Sequence, residues 1–126
     1  KNVKFFITNS WCVKHEKNDV AALHNHNNSI ISGVYYFQTP KNCGDIIFNR
    51  NTTLNSVFTE TLTIPTNSNL DEYRVKVEEG TLLLFPSHLL HKTEPNLSNK
   101  SRYCLAFNVF LKGSIGKDQG LNRLDI

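Results

Sequence analysis

The chain has no methionine and a single tryptophan, Trp11, among its 126 residues. Beginning at Lys1 without a methionine, it is expected to be the ordered part of a longer chain whose upstream residues serve as a lid or substrate wall. No apolar run approaches the roughly 20 residues that a membrane-spanning helix needs, and no signal peptide is visible, so a soluble protein is expected. No block of like charge occurs either: net charge is +3, pI is near 8.8, and the lysines stand singly. The basic stripe interleaved with aromatics that marks a nucleic-acid binder is therefore missing. Three cysteines, Cys12, Cys43 and Cys104, form neither an even set nor a CxxC or zinc-ribbon pattern. That excludes a disulfide framework and predicts three small buried thiols in a reducing, cytoplasmic compartment. Sequons at Asn27, Asn51, Asn96 and Asn99 carry little weight in so asparagine-rich a chain. There is no internal repeat, and 39% apolar content over this length fits one domain spanning 1–126.

What is present reads as strand after strand. Residues 3–8 are apolar and β-branched, with 11–13 extending them after a break at Asn9-Ser10. Residues 32–38 are rich in Val, Tyr and Phe and end before Pro40. A turn at Asn42-Cys43-Gly44 returns the chain into 45–48, and 56–64 alternates as a half-buried strand should. Residues 73–77 follow a polar loop. The run 81–85, bounded by Glu79-Gly80 and Pro86, predicts a fully buried strand. A short strand at 92–94 and a long one at 101–111 complete the set, and the tail predicts one turn of helix over 119–124 or disorder. About eight short strands without alternating helices imply an all-β sandwich or jelly roll, whose tapered cup brings distant residues together.

Inside such a cup the histidines stand out. His24 and His26, separated by one residue in extended chain, turn both imidazoles to one side. His91, from a distant strand, can complete one face of a metal and leave positions open. A sulfur-free nitrogen set suits iron, nickel, copper or zinc rather than magnesium or calcium. Arg102 offers a rigid fork for a carboxylate. On one strand Ser32, Val34 and Tyr36 share a face, and on another Arg102, Cys104, Ala106 and Asn108 do, so Asn108 is expected to look into the cavity.

These residues also carry a resemblance. Trp11, His24-Asn25-His26, Ser32 to Tyr36, Glu79-Gly80, Leu83 to Ser87, His91, Glu94-Pro95-Asn96, Arg102 and Phe107-Asn108 occur in the order of the 2-oxoglutarate- and Fe(II)-dependent oxygenases. The chain most resembles a group found in marine phages and bacteria, and it is similar to prolyl hydroxylases around the Tyr35-Tyr36 pair. The resemblance implies a double-stranded β-helix of the cupin-like, jelly-roll type. It implies Fe(II), 2-oxoglutarate as cosubstrate and molecular oxygen. His24 and His91 become iron ligands, and Arg102 with Tyr36 holds the C5 carboxylate of 2-oxoglutarate. Ser32 and Asn108 are added to the cofactor-binding set from their strand faces. The expected reaction yields succinate and carbon dioxide and hydroxylates a small molecule or peptide.

One position departs from the pattern. The superfamily usually carries Asp or Glu where this chain has His26, leaving the site one negative charge short. The marine group shares the His-x-His form, which favours His26 as the third ligand over a ring turned away to leave a gap for water or a halide. His88 is expected at the cavity rim, His15 on the surface among Lys14, Glu16 and Lys17, and Trp11 in the core. Rival readings are a non-oxidative metal-binding cupin-like domain and a structural viral jelly roll; the Arg102 and Tyr36 clamp argues against both. A homodimer is the default assembly.

Overall fold

Nine strands and no helix make up the residues described by the computed structural model, which are 3–49, 72–116 and 122–126. In order they are β1 (Lys4–His15), β2 (Ile31–Gln38), β3 (Ile46–Asn49), β4 (Glu72–Val75), β5 (Leu82–Pro86), β6 (His91–Thr93), β7 (Arg102–Lys112), β8 (Ser114–Ile115) and β9 (Leu124–Asp125). One sheet runs β1-β7-β2-β5 and a second β4-β3-β6, both antiparallel; β8 and β9 form a separate ribbon. Val34, Tyr36, Phe85 and Cys104 of the first sheet pack against Ile46 and Phe48 of the second in one buried cluster. This is the double-stranded β-helix, with the apolar faces of both sheets turned inward.

Alternation in β2 is the clearest link from sequence to layer. Ser32, Val34 and Tyr36 are buried while Tyr35 and Phe37 face out. Gly33 lies directly beneath the ring of Phe107, its cross-strand partner, and a Cβ there would fall inside that ring. A glycine is therefore needed where an aromatic lies across the strand.

The structure corrects several expectations. The break at Asn9-Ser10 is a bulge: β1 runs unbroken to His15, with a register shift between Ile7 and Asn9. The 81–85 run is not fully buried. β5 lies at the edge of the four-stranded sheet among the described residues, and Leu82 and Leu84 are exposed while Phe85 is buried. The tail forms β9 against β8, so residues 124–125 are extended and not helical. Cys12 is exposed, whereas Cys43 and Cys104 are buried as expected and all three are free thiols. The strand expected over 56–64 lies outside the described residues. No helix among the described residues is long and apolar enough to cross a membrane.

Candidate active site

Two reciprocal backbone hydrogen bonds, His24 N–H to His91 O (3.0 Å) and His91 N–H to His24 O (2.9 Å), lock these residues as an antiparallel pair. Their side chains consequently leave the same side, with ring centroids 4.3 Å apart. His26 joins through His26 N–H to Ser87 O at 2.9 Å, which sets its ring 5.2 Å from His24 and 5.1 Å from His91. One nitrogen from each of the three lies within 4.8 Å of the others, and no carboxylate belongs to this group among the described residues. His91 is also wedged against Phe85 and Phe48, at 4.8 and 5.9 Å, which fixes its plane.

The partners behind the rings decide what they offer. His24 Nδ1 lies 2.6 Å from Ala22 O and His91 Nδ1 lies 3.0 Å from Leu89 O. A carbonyl only accepts, so both protons sit on Nδ1 and both Nε2 lone pairs are left for an ion. His26 Nδ1 reaches Asn108 Oδ1 at 2.6 Å and Ser32 Oγ at 2.7 Å, and the amide oxygen again fixes the proton on Nδ1. Ser32 Oγ donates to the same amide oxygen at 2.9 Å and meets Ser87 Oγ at 2.8 Å, and Ser87 Oγ donates to Ser29 Oγ at 2.8 Å. Ser32 and Ser87 are wholly buried. Ser32 and Asn108, expected to face the cavity and bind cofactor, thus orient the third imidazole and do not line the cavity.

Burial lowers the pKa of His91 to about 4; the Leu89 carbonyl opposes this, and the neighbouring His24 and His26 add to it. Burial likewise lowers His26, against the pull of Asn108. His26 and His91 are thus neutral near pH 7, the form in which imidazole ligates a metal. Three imidazole nitrogens whose Nδ1 atoms are backed by carbonyl oxygens fit a divalent iron.

The cavity that the histidines border has a volume of about 90 Å³ and reaches inward to Tyr36, Arg102 and His15. Arg102 is only 2% exposed. Its Nη1 donates to Cys43 O and Gly44 O, both at 3.0 Å, and its Nη2 donates to His15 Nδ1. The turn carrying Cys43 and Gly44 therefore holds the guanidinium from behind. Tyr36 is equally buried, and desolvation raises its pKa, so the phenol keeps its proton as a donor. Among the walls between the two ends are Val13, Val34, Ile46, Cys104 and Ala106. A larger surface groove of about 780 Å³ runs past Pro40, Lys41 and Glu94 on the other side of that turn, and none of the histidines lines it.

Two residues stand elsewhere than expected. His15 is 7% exposed, not on the surface: as the cross-strand partner of Arg102 it turns inward with Trp11 and Val13. Trp11 is not core; it is 38% exposed at the cavity wall, 5.9 Å from the His26 ring. The spacing Trp11, Val13, His15 is the period-two signal that could have found both. His88 is exposed, as expected of a rim residue.

The model of a family described as "Putative 2OG-Fe(II) oxygenase" matches residues 9–108, the span that contains every residue of this cavity. The chain belongs to this family. Its fold is shared with solved 2OG-Fe(II) oxygenases. An oxidoreductase of that family from Burkholderia pseudomallei superposes with a TM-score of 0.66 at 12% identity, over 86% of this chain and 46% of the other. HygX from Streptomyces hygroscopicus, solved with nickel and 2-oxoglutarate bound, gives 0.57 at 17% identity, over 83% and 57%. A Pseudomonas putida prolyl-4-hydroxylase gives 0.52 at 15%, over 79% and 50%. The chain spans about half the length of these structures. No curated protein matches it in sequence.

Proposed function

We propose that the chain is the catalytic domain, over residues 1–126, of a 2-oxoglutarate- and Fe(II)-dependent dioxygenase that hydroxylates a small molecule or a peptide. The observation that carries this reading is the pairing, on one cavity, of three imidazoles with free Nε2 lone pairs and a buried guanidinium. His24, His26 and His91 would hold the iron, His26 standing where the superfamily has a carboxylate. Arg102 and Tyr36 would hold the distal carboxylate of the cosubstrate. Iron and 2-oxoglutarate, when bound, supply the activation of dioxygen that yields succinate and carbon dioxide and places a hydroxyl on the substrate.

The chain's own residues orient and shield. Carbonyls of Ala22 and Leu89, with the Asn108 amide, keep each imidazole in the ligating tautomer, so no reorganisation is needed when the ion arrives. Arg102 uses three of its five guanidinium hydrogens on protein acceptors, which leaves two for a carboxylate. Apolar walls keep water from competing with that contact, and an ion pair formed there is strong. Trp11, at the wall beside His26, is placed to meet the substrate. Free cysteines support a reducing cytoplasm, the host's if the chain is phage-borne. A homodimer is the assembly we propose.

The test is anaerobic titration of the Fe(II)-loaded chain with 2-oxoglutarate. A weak visible charge-transfer band is expected, together with its loss in His91→Ala. A wild-type chain that binds Fe(II) yet never develops the band would overturn the reading in favour of simple metal binding.

A further inference from the structure

Arg102 carries donors only, so its contact with His15 Nδ1 obliges that nitrogen to accept. A neutral imidazole that accepts at Nδ1 carries its proton on Nε2. Burial and the adjacent guanidinium both act against a second proton, with Asp19 opposing them from a distance. His15 is 93% buried by the complement of its 7% exposure, lines the same cavity as Arg102 and Tyr36, and its Nε2 has no hydrogen-bond partner among the described residues. Tyr36, 2% exposed, likewise has no hydroxyl partner among them. The inner end of the cavity therefore presents N–H and O–H groups from three side chains on three positions of two adjoining strand pairs, β1 with β7 and β7 with β2. These donors open onto the cavity, since Asn49 Oδ1 is the one fully buried polar side-chain atom without a partner among the described residues, and the group that satisfies several of them at once is an anion with two oxygens.

Resting on the oxygenase reading above, we propose that His15 is a cosubstrate-binding residue whose Nε2–H donates to the distal carboxylate of 2-oxoglutarate beside Arg102. His15 then has two tasks. Its Nδ1 holds the guanidinium in place from one side, and its Nε2–H grips the ligand from the other. The β1 strand, and not only β2 and β7, becomes part of the cosubstrate site.

The experiment compares 2-oxoglutarate with 2-oxobutanoate, which keeps the metal-binding 2-oxo acid head and lacks the distal carboxylate, on the anaerobic Fe(II)-loaded chain. In His15→Phe, the Kd for 2-oxoglutarate is expected to rise about ten- to a hundredfold, the range for a hydrogen bond to a charged group. The Kd for 2-oxobutanoate and for Fe(II) should stay within about twofold, and His15→Gln, which keeps an N–H donor and an acceptor, should recover most of the loss. Equal weakening of both 2-oxo acids, or of neither, overturns the assignment. A measurement independent of any variant is the His15 Nε2–H resonance of the ¹⁵N-labelled, Zn(II)-loaded chain. It should move downfield with 2-oxoglutarate and not with 2-oxobutanoate, and an unmoved resonance on saturation removes His15 from the site. A wild-type chain that binds neither acid would instead refute the oxygenase reading itself.

Discussion

The two ends of the cavity use the same residue type with opposite polarity. At the outer end His24, His26 and His91 turn their protons outward to Ala22 O, Asn108 Oδ1 and Leu89 O, and present lone pairs inward. At the inner end His15 accepts a hydrogen bond from Arg102 at Nδ1 and so carries its own N–H at Nε2. The difference lies wholly in what stands behind each ring: an acceptor makes an imidazole a ligand for a cation, and a donor makes it a hand for an anion. A molecule with a chelating head and a carboxylate tail would fit between these ends in only one direction.

The largest expected effect comes from removing the outer end. His91→Ala should weaken Fe(II) binding by more than about a hundredfold, beyond the range of changes behind a ligand, and abolish the charge-transfer band; an intact band would break the comparison. Next is the inner end. Arg102→Lys keeps a charge and loses the fork, and should cost about thirtyfold or more in 2-oxoglutarate affinity while Fe(II) affinity holds, as read by calorimetry. If both affinities fell together, the two ends would not be chemically separate. Asn108→Leu probes the partner behind a ring: with no acceptor for its Nδ1–H, His26 loses its fixed tautomer. Metal affinity should then drop about ten- to a hundredfold and return in Asn108→Asp, which still accepts.

The mildest effect is on stability against pH. His15, His26 and His91 all have folded pKa values below 6.5, with burial as the first cause, while the unfolded chain takes up protons near the ordinary value. Between the two the unfolded state binds more protons, so stability is full above about 6.5 and falls as pH drops; for His91 the loss runs down to about 4. Thermal melting of the metal-free chain from pH 7.5 downward should show Tm decreasing. A flat or rising Tm would mean the rings are not held neutral.

Much of this was readable beforehand because strands alternate. His24 and His26 at two-residue spacing, Tyr36 on the face of Val34, and Arg102 on that of Cys104 follow from parity once the chain is taken as extended. His15 escaped because its neighbours Lys14, Glu16 and Lys17 are charged, and local composition reads as hydrated. Parity puts His15 on the face of Trp11 and Val13, but it is the pairing with Arg102, 87 residues away, that turns this face inward, and local composition argued the other way. Leu82 and Leu84 misled for the reverse reason, since an apolar run does not reveal that its strand lies at a sheet edge. The roles of Ser32 and Asn108 needed the place of His26, which strand faces alone do not give.

The pairing of β1 with β7 also sets when the site comes into being. These strands lie far apart in sequence, and their ladder is the longest among the described residues. Contacts between such distant segments bear the full entropy of closing the intervening loop, so they form late and slowly. A nascent chain emerging from the ribosome possesses the His24 and His26 pair long before it owns Arg102. The proposed grip on a dicarboxylate therefore waits until β7 has been made and has zipped onto β1.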